Sequence, residues 1–171
     1  EAEIYASERN IEQAMQKLDE IRATESDFQT LKLTDLAEAE VYRIAGDEEE
    51  AARKYRNFLE KYPNAEEVDD VLLEAGEVMD NVHDYKNAIA TFEQALARNN
   101  DAPYRIENLI QIAGSCLRGG EYDRALQYYD DILSMLSSPE FDEGAELEAD
   151  VRQTVDLRRG QALIRKGKQL R

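Results

Sequence analysis

His83 is the sole histidine of this 171-residue chain, and it stands between two carboxylates, Asp80 and Asp84. A histidine among acids could hold a divalent cation, but durable metal sites converge three or four ligands. A nucleophilic relay needs a nucleophile within hydrogen-bond reach of its base. One imidazole at a turn meets neither requirement, and it reads as a turn residue. Cys116 is the sole cysteine, so no internal disulfide forms, and its place among apolar neighbours reads as a small buried hydrophobe. The acidic runs Glu48-Glu49-Glu50 and Glu66-Glu67 with Asp69-Asp70 fall where helices should begin, and there negative charge complements the helix dipole. No spacing matches a calcium loop, a phosphate loop or a nucleophile elbow. Glycoside cleavage needs one selected carboxylate pair, and among 38 acids nothing selects one. The chain therefore reads as non-catalytic, with no cofactor and no metal.

Charge narrows the partners. The net charge is −17, which argues against nucleic-acid binding, because that needs a basic footprint. Lysines are few, and most cations are arginine. Such a surface fits a salt-loving host, where salt screens self-repulsion, and equally an ordinary acidic protein. After Asp150 the balance reverses: Arg152, Arg158, Arg159, Arg165, Lys166, Lys168 and Arg171 face a single acid, Asp156. This stretch could meet a phosphate-bearing partner or lipid head groups. A local role in the last turns of a helix explains it as well. No run of apolar residues is long enough to span a membrane. The chain opens at Glu1 without Met, shows no signal peptide and ends abruptly at Arg171, so it is expected to be a fragment of a longer protein. Its compartment stays open between the cytoplasm and a bacterial periplasm or envelope.

The elements that would position these residues follow one register. Ala14, Ala51, Ala88 and Ala125 are 37 residues apart at each step. The same step joins Leu18, Tyr55, Phe92 and Tyr129, then Ile21, Phe58, Ala95 and Ile132. Upstream it joins Tyr5, Tyr42, Met79 and Cys116, and also Ala2, Ala39, Gly76 and Ala113. A fixed period of this length marks stacked supersecondary units. Within a unit, Ala51, Tyr55 and Phe58 lie at steps of four and three, one face of a helix. Gly46, His83 and Gly120 share a turn column suited to a left-handed cap. Asn10, Asp47 and Asp84 follow as N-caps, and Asn10–Gln13 and Asp47–Glu50 have capping-box spacing. Tyr62-Pro63-Asn64 and Asn100-Asp101-Ala102-Pro103 break the chain, with Asp101 placed to cap the next helix. The spacing predicts helices over 2–8, 11–24, 29–45, 48–61, 66–81, 85–98, 103–118, 122–136 and 143–167, and no strand. The fold class is all-α: a right-handed solenoid of stacked antiparallel helix pairs forming one domain over 1–171. Its repeats are 1–31 (partial), 32–68, 69–105 and 106–142, followed by a C-terminal helix within 143–171. Gly160, Leu163 and Gly167 match the columns of Gly76, Met79 and His83. That helix therefore reads as the first of a further unit or as a cap.

These columns resemble the tetratricopeptide repeat family. The second copy supplies Ala39, Tyr42, Gly46, Ala51, Tyr55 and Pro63. The third supplies Gly76, Tyr85, Ala88, Phe92 and Ala95, and the fourth Ala113, Gly120, Tyr122, Ala125 and Tyr129. The period exceeds the family's usual 34 residues, which implies longer helices or loops and an altered twist. Phe58-Leu59-Glu60-Lys61-Tyr62-Pro63 is similar to bacterial versions, including those of outer-membrane assembly lipoproteins and envelope accessory proteins.

The resemblance implies a concave groove lined by the first helices. Its candidate residues are Leu36, Glu40, Arg43, Leu73, Glu77, Asp80, Ile110, Leu117 and Arg118. Leu36, Leu73, Ile110 and Leu157 form one aliphatic column, with Glu40, Glu77, Gly114 and Gln161 one turn on. An apolar stripe rimmed by acids suits a basic or amphipathic peptide or helix, although the stripe could equally be core between helices. Some relatives clamp the acidic Glu-Glu-Val-Asp tails of heat-shock chaperones with Lys and Asn. Here the matching places hold Leu36, Glu40, Leu73 and Glu77, which would repel such a tail. The expected function is a non-catalytic protein-binding scaffold or adaptor. A self-associating, homo-oligomeric module and the docking or regulatory part of a larger enzyme remain the alternatives.

Overall fold

The alternation of a small residue with a bulky one a turn later decides how these helices pair. Alanine lets two backbones approach, and the ring fills the space beside it. The structure, a computed structural model, describes residues 11–99, 102–138 and 145–170. Among them are eight helices and no strand: α1 Ile11–Thr24, α2 Phe28–Ala45, α3 Glu48–Lys61, α4 Val68–Asn81, α5 Tyr85–Arg98, α6 Ala102–Arg118, α7 Tyr122–Leu136 and α8 Ala145–Gln169. Every helix predicted from spacing beyond residue 10 is present, with ends shifted by two residues at most. The predicted helix 2–8 lies outside the described residues.

The chain divides after Asp84 into two compact units. In the first, α1 packs on α2, α2 on α3 and α3 on α4. In the second, α5 packs on α6, α6 on α7 and α7 on α8, and α8 also touches α6. The 37-residue columns form the core of both. Ala14, Ala51, Ala88 and Ala125 are each fully buried, as are Tyr55, Tyr129, Ala39 and Ala113. Phe58, Phe92, Met79 and Cys116 are buried with them. Burial pushes the Cys116 thiol up to about 11, so at neutral pH it is protonated and inert.

The turn column behaves as its chemistry requires. Gly46, His83 and Gly120 all adopt the left-handed conformation, with φ of 81°, 64° and 83°. Two helices end in the same pair of bonds: Gly46 N–H donates to the Arg43 carbonyl and Asp47 N–H to that of Tyr42, then His83 to Asp80 and Asp84 to Met79. These bonds satisfy carbonyls that a helix end leaves open. Glycine takes that conformation at little cost, and His83 takes it with a side chain attached.

Asp47 caps α3 by accepting from the Glu50 N–H at 3.2 Å. The other half of that capping box does not close, because the Glu50 carboxylate turns to Arg53. Asp27 caps α2 by accepting from both the N–H and the hydroxyl of Thr30, at 2.9 and 3.1 Å. α4 starts two residues later than its spacing predicts. Glu67, just before it, makes no side-chain cap, since its carboxylate accepts from the Lys32 ammonium at 2.7 Å. Asn10 and Asp101 lie outside the described residues.

Candidate functional site

Unit 1 holds six of the nine groove candidates. Leu36 and Leu73 are half-buried, as are Glu40 and Asp80, while Arg43 and Glu77 are exposed. Arg43 is the best-anchored of them. Its Nε donates to the Tyr55 hydroxyl at 3.2 Å, and the same nitrogen lies 3.8 Å from Glu74. The Tyr55 hydroxyl in turn donates to Glu74 Oε2 at 2.8 Å. Burial first, and then Glu74, push the Tyr55 phenol up, so it remains a donor throughout the physiological range. The chain Arg43–Tyr55–Glu74 thus ties α2, α3 and α4 together in one fixed arrangement. Glu40 sits 3.8 Å from the far end of Arg43.

Unit 2 holds the other three. Ile110 is half-buried and Arg118 exposed, whereas Leu117 is only 6% exposed and offers little surface. On α8, the two residues in the equivalent columns are open. Leu157 and Leu163 are 64% and 48% exposed, and Ile164 and Leu170 lie bare beside them. Met79 and Cys116, in the column of Leu163, are buried, whereas Leu73 and Ile110, in the column of Leu157, are half-buried.

Several charged groups that the columns did not single out form the firmest polar structure. The Glu38 carboxylate is 7% exposed and accepts from Arg22 at 2.6 Å and from Lys54. Arg22 also reaches Asp35 at 3.2 Å. Asp35 takes the Lys61 ammonium at 2.7 Å and the Tyr62 hydroxyl at 2.8 Å. Burial pushes the Asp35 carboxyl up, but Lys61, Tyr62 and Arg22 outweigh it and hold it below its ordinary value. A repeat-by-repeat reading carries the signal. Glu38 shares its column with Ala75 and Ile112, and Arg22 with Leu59, Leu96 and Leu133, so positions that are apolar in later copies carry an ion pair where the first two copies meet.

A cleft of about 430 Å³ opens in unit 1 where the chain turns at Tyr62-Pro63-Asn64, lined also by Phe28, Lys32 and Lys61. Phe28 is 63% exposed and meets Tyr62 edge-on at 5.7 Å. The cleft could seat an apolar side chain. Both lysines already hold carboxylates, Glu67 and Asp35, so it makes no demand for an anion. Among the described residues no group of His, Cys, Asp and Glu is placed to hold a metal, and no helix is long and apolar enough to cross a membrane. His83 stands exposed at its turn.

These features define a class: helix pairs in series, a buried small-residue column, and polar first-helix faces held by side-chain networks. Residues 34–65 match the tetratricopeptide repeat family. Two solved structures share the fold. One is a Podosopora anserina kinesin light chain candidate with nearly identical TPR-like repeats. It is 13% identical, with a TM-score of 0.68 over 98% of this chain and 84% of that one. The other is MamA RS-1, an ArsTM double mutant, 14% identical, with a TM-score of 0.59 over 98% of this chain and 92% of that one. No curated protein matches. The chain carries a tetratricopeptide repeat at 34–65 and has the tetratricopeptide-repeat fold, an all-α array of adjacent helix pairs.

Proposed function

We propose that this protein is a non-catalytic scaffold whose first-helix faces capture a protein partner. The observation that carries the reading is the state of the unit 1 face. Leu36 and Leu73 are only half-buried, although Ala39 and Val41 on the same helix as Leu36, and Leu72 and Met79 on that of Leu73, are closed. Glu40, Glu77 and Asp80 flank them. The side chains beneath are already fixed by Arg43, Tyr55 and Glu74. A surface ordered before binding loses little entropy when it binds. A basic or amphipathic segment would set apolar residues on Leu36 and Leu73 and cations against the acids.

Affinity capture from host lysate, with wild type and Leu73→Glu side by side, tests it. The expected outcome is that at least one captured protein falls tenfold or more with the variant, while circular dichroism shows unchanged helix content. Identical captured sets with both baits would sink the assignment to this face.

A second reading, self-association, is favoured by the bare apolar residues of α8. Light scattering across salt concentrations reads it. If Leu157 and Ile164 form the contact, the mass roughly doubles and persists at high salt, because apolar burial is not screened. Leu157→Asp returns the chain to a monomer. A wild-type monomer at every salt concentration removes this reading.

A further inference from the structure

The cleft of unit 1 is built from residues that the repeat does not ask for. Phe28, Tyr62 and Pro63 line it, together with Gln29, Asn64 and Glu66. Stepped by 37 residues, Phe28 falls with Ala65 and Ala102, and Tyr62 with Glu25 and Asn99. The aromatic pair therefore occurs once, at the start of α2 and just past the end of α3. Stacking one helix pair on the next does not require it in the other copies.

Its apolar walls are held from behind. The Tyr62 hydroxyl donates to Asp35 at 2.8 Å, and its ring lies 5.1 Å from that of Phe58. Phe28 stands edge-on to Tyr62 at 5.7 Å and 73°. Proline fixes its own φ at residue 63, and the Ala65 N–H donates to the Tyr62 carbonyl at 3.1 Å, closing the turn. Asp27 caps the first turn of α2, which carries Phe28. Even so, Phe28 keeps 63% of its surface in water, and Pro63 is exposed. A slot ordered before binding loses little entropy when it is filled.

Charge selects the occupant. The ammonium groups of Lys32 and Lys61 are committed to Glu67 and Asp35, so an anionic ligand finds no open cation. Glu66 is exposed, and its carboxylate holds no cation among the described residues. The side-chain amides of Gln29 and Asn64 are exposed and without a partner among those residues too, so each can donate. The slot thus offers aromatic surface, amide donors and one unpaired carboxylate. A polyproline II segment offers the complement: prolyl rings, backbone carbonyls that lack an internal partner, and no proline N–H to be left unmet. Aromatic-lined grooves capture such segments in this preformed conformation.

We propose that Phe28, Tyr62 and Pro63 form a docking slot for a proline-rich segment of a partner protein, with an arginine or lysine of that segment set against Glu66. The slot extends the partner-binding role proposed above and rests on it only in drawing its ligand from a protein. Leu36 and Leu73 do not line it, so the capture experiment and the one below can fail separately.

The test titrates the whole chain with a capped peptide of five prolines and one arginine. One comparison peptide replaces every proline with alanine, a second carries a single leucine among the alanines, and a third keeps the prolines but replaces arginine with glutamate. The readout is the NMR signals of the Phe28 ring and of the Asn64 side-chain amide. The proline–arginine peptide is expected to shift both saturably, the glutamate version to bind several-fold more weakly, and the alanine version to give no saturable shift. Phe28→Ala, read at Asn64, should weaken binding about tenfold, as loss of an aromatic anchor does, whereas Phe28→Tyr keeps the ring and should bind like wild type. Glu66→Gln should erase the preference for arginine over glutamate and leave proline binding in place. A leucine peptide that binds as tightly as the proline one would make the cleft a seat for any apolar side chain and overturn the proposal. So would a proline peptide that shifts neither signal, or one whose binding survives Phe28→Ala. Equal binding of the arginine and glutamate peptides would overturn the role of Glu66.

Discussion

Phe58→Ala should remove about 3–5 kcal/mol of stability, a large share of the 5–15 kcal/mol typical of a folded domain. Phe58 is 1% exposed and stands in the same column as Ala95 and Ile132. Its ring centroid is 5.1 Å from that of Tyr62, which in turn holds Phe28 edge-on and hydrogen-bonds Asp35. Truncation therefore opens a cavity and also frees the ring that closes the C-terminal end of α3. Guanidinium denaturation would read the loss as a lower midpoint. Amide exchange would show where it falls. In a stacked array each element leans mainly on its neighbours, so protection should collapse in α3 and in the α2 and α4 helices packed on it. A loss below 1 kcal/mol would mean that the column is not the core it forms in this structure. An even loss across all eight helices would deny the neighbour-by-neighbour cooperativity of a solenoid.

Period and turn chemistry made the fold legible, because both are written in single residues. Four buried alanines at one spacing place four second helices, and Gly46 and Gly120 mark the turns by needing a conformation that other residues resist. His83 could be placed there only by its column, since histidine itself carries no such signal. The partner of Glu67 just before α4 was hidden, because Lys32 lies 35 residues away in sequence. The candidate face was half legible. The column of Leu36, Leu73 and Ile110 reads from the sequence, but exposure does not, and Leu117 turns inward. Asp35, which breaks an apolar column occupied by Leu72 and Leu109, is explained by three donors drawn from α1 and from the end of α3.

Replacing Glu38 with Ile should destabilise unit 1 by about 3 kcal/mol, the lower end of the cost of leaving buried cations without their partner. The lower end applies because Arg22 keeps 30% of its side-chain exposure and Lys54 19%, so water partly solvates what the carboxylate abandons. Arg22 also keeps Asp35. The isoleucine itself suits the site, since Ile112 fills the same column in unit 2 and is fully buried. The loss therefore belongs to the stranded charges and not to the shape of the new side chain, and two further changes should reverse it. Arg22→Leu restores the residue found at Leu59, Leu96 and Leu133, and Lys54→Thr that found at Thr91. The triple variant should then match or exceed wild type in denaturation midpoint, as apolar replacements of buried ion pairs often do. The coupling between the sites, measured as departure from additivity, should be of the same size as the single-variant loss. If Arg22→Leu and Lys54→Thr instead add their own losses to that of Glu38→Ile, the ion network stabilises the junction of α1, α2 and α3 beyond what hydrophobic packing can supply there.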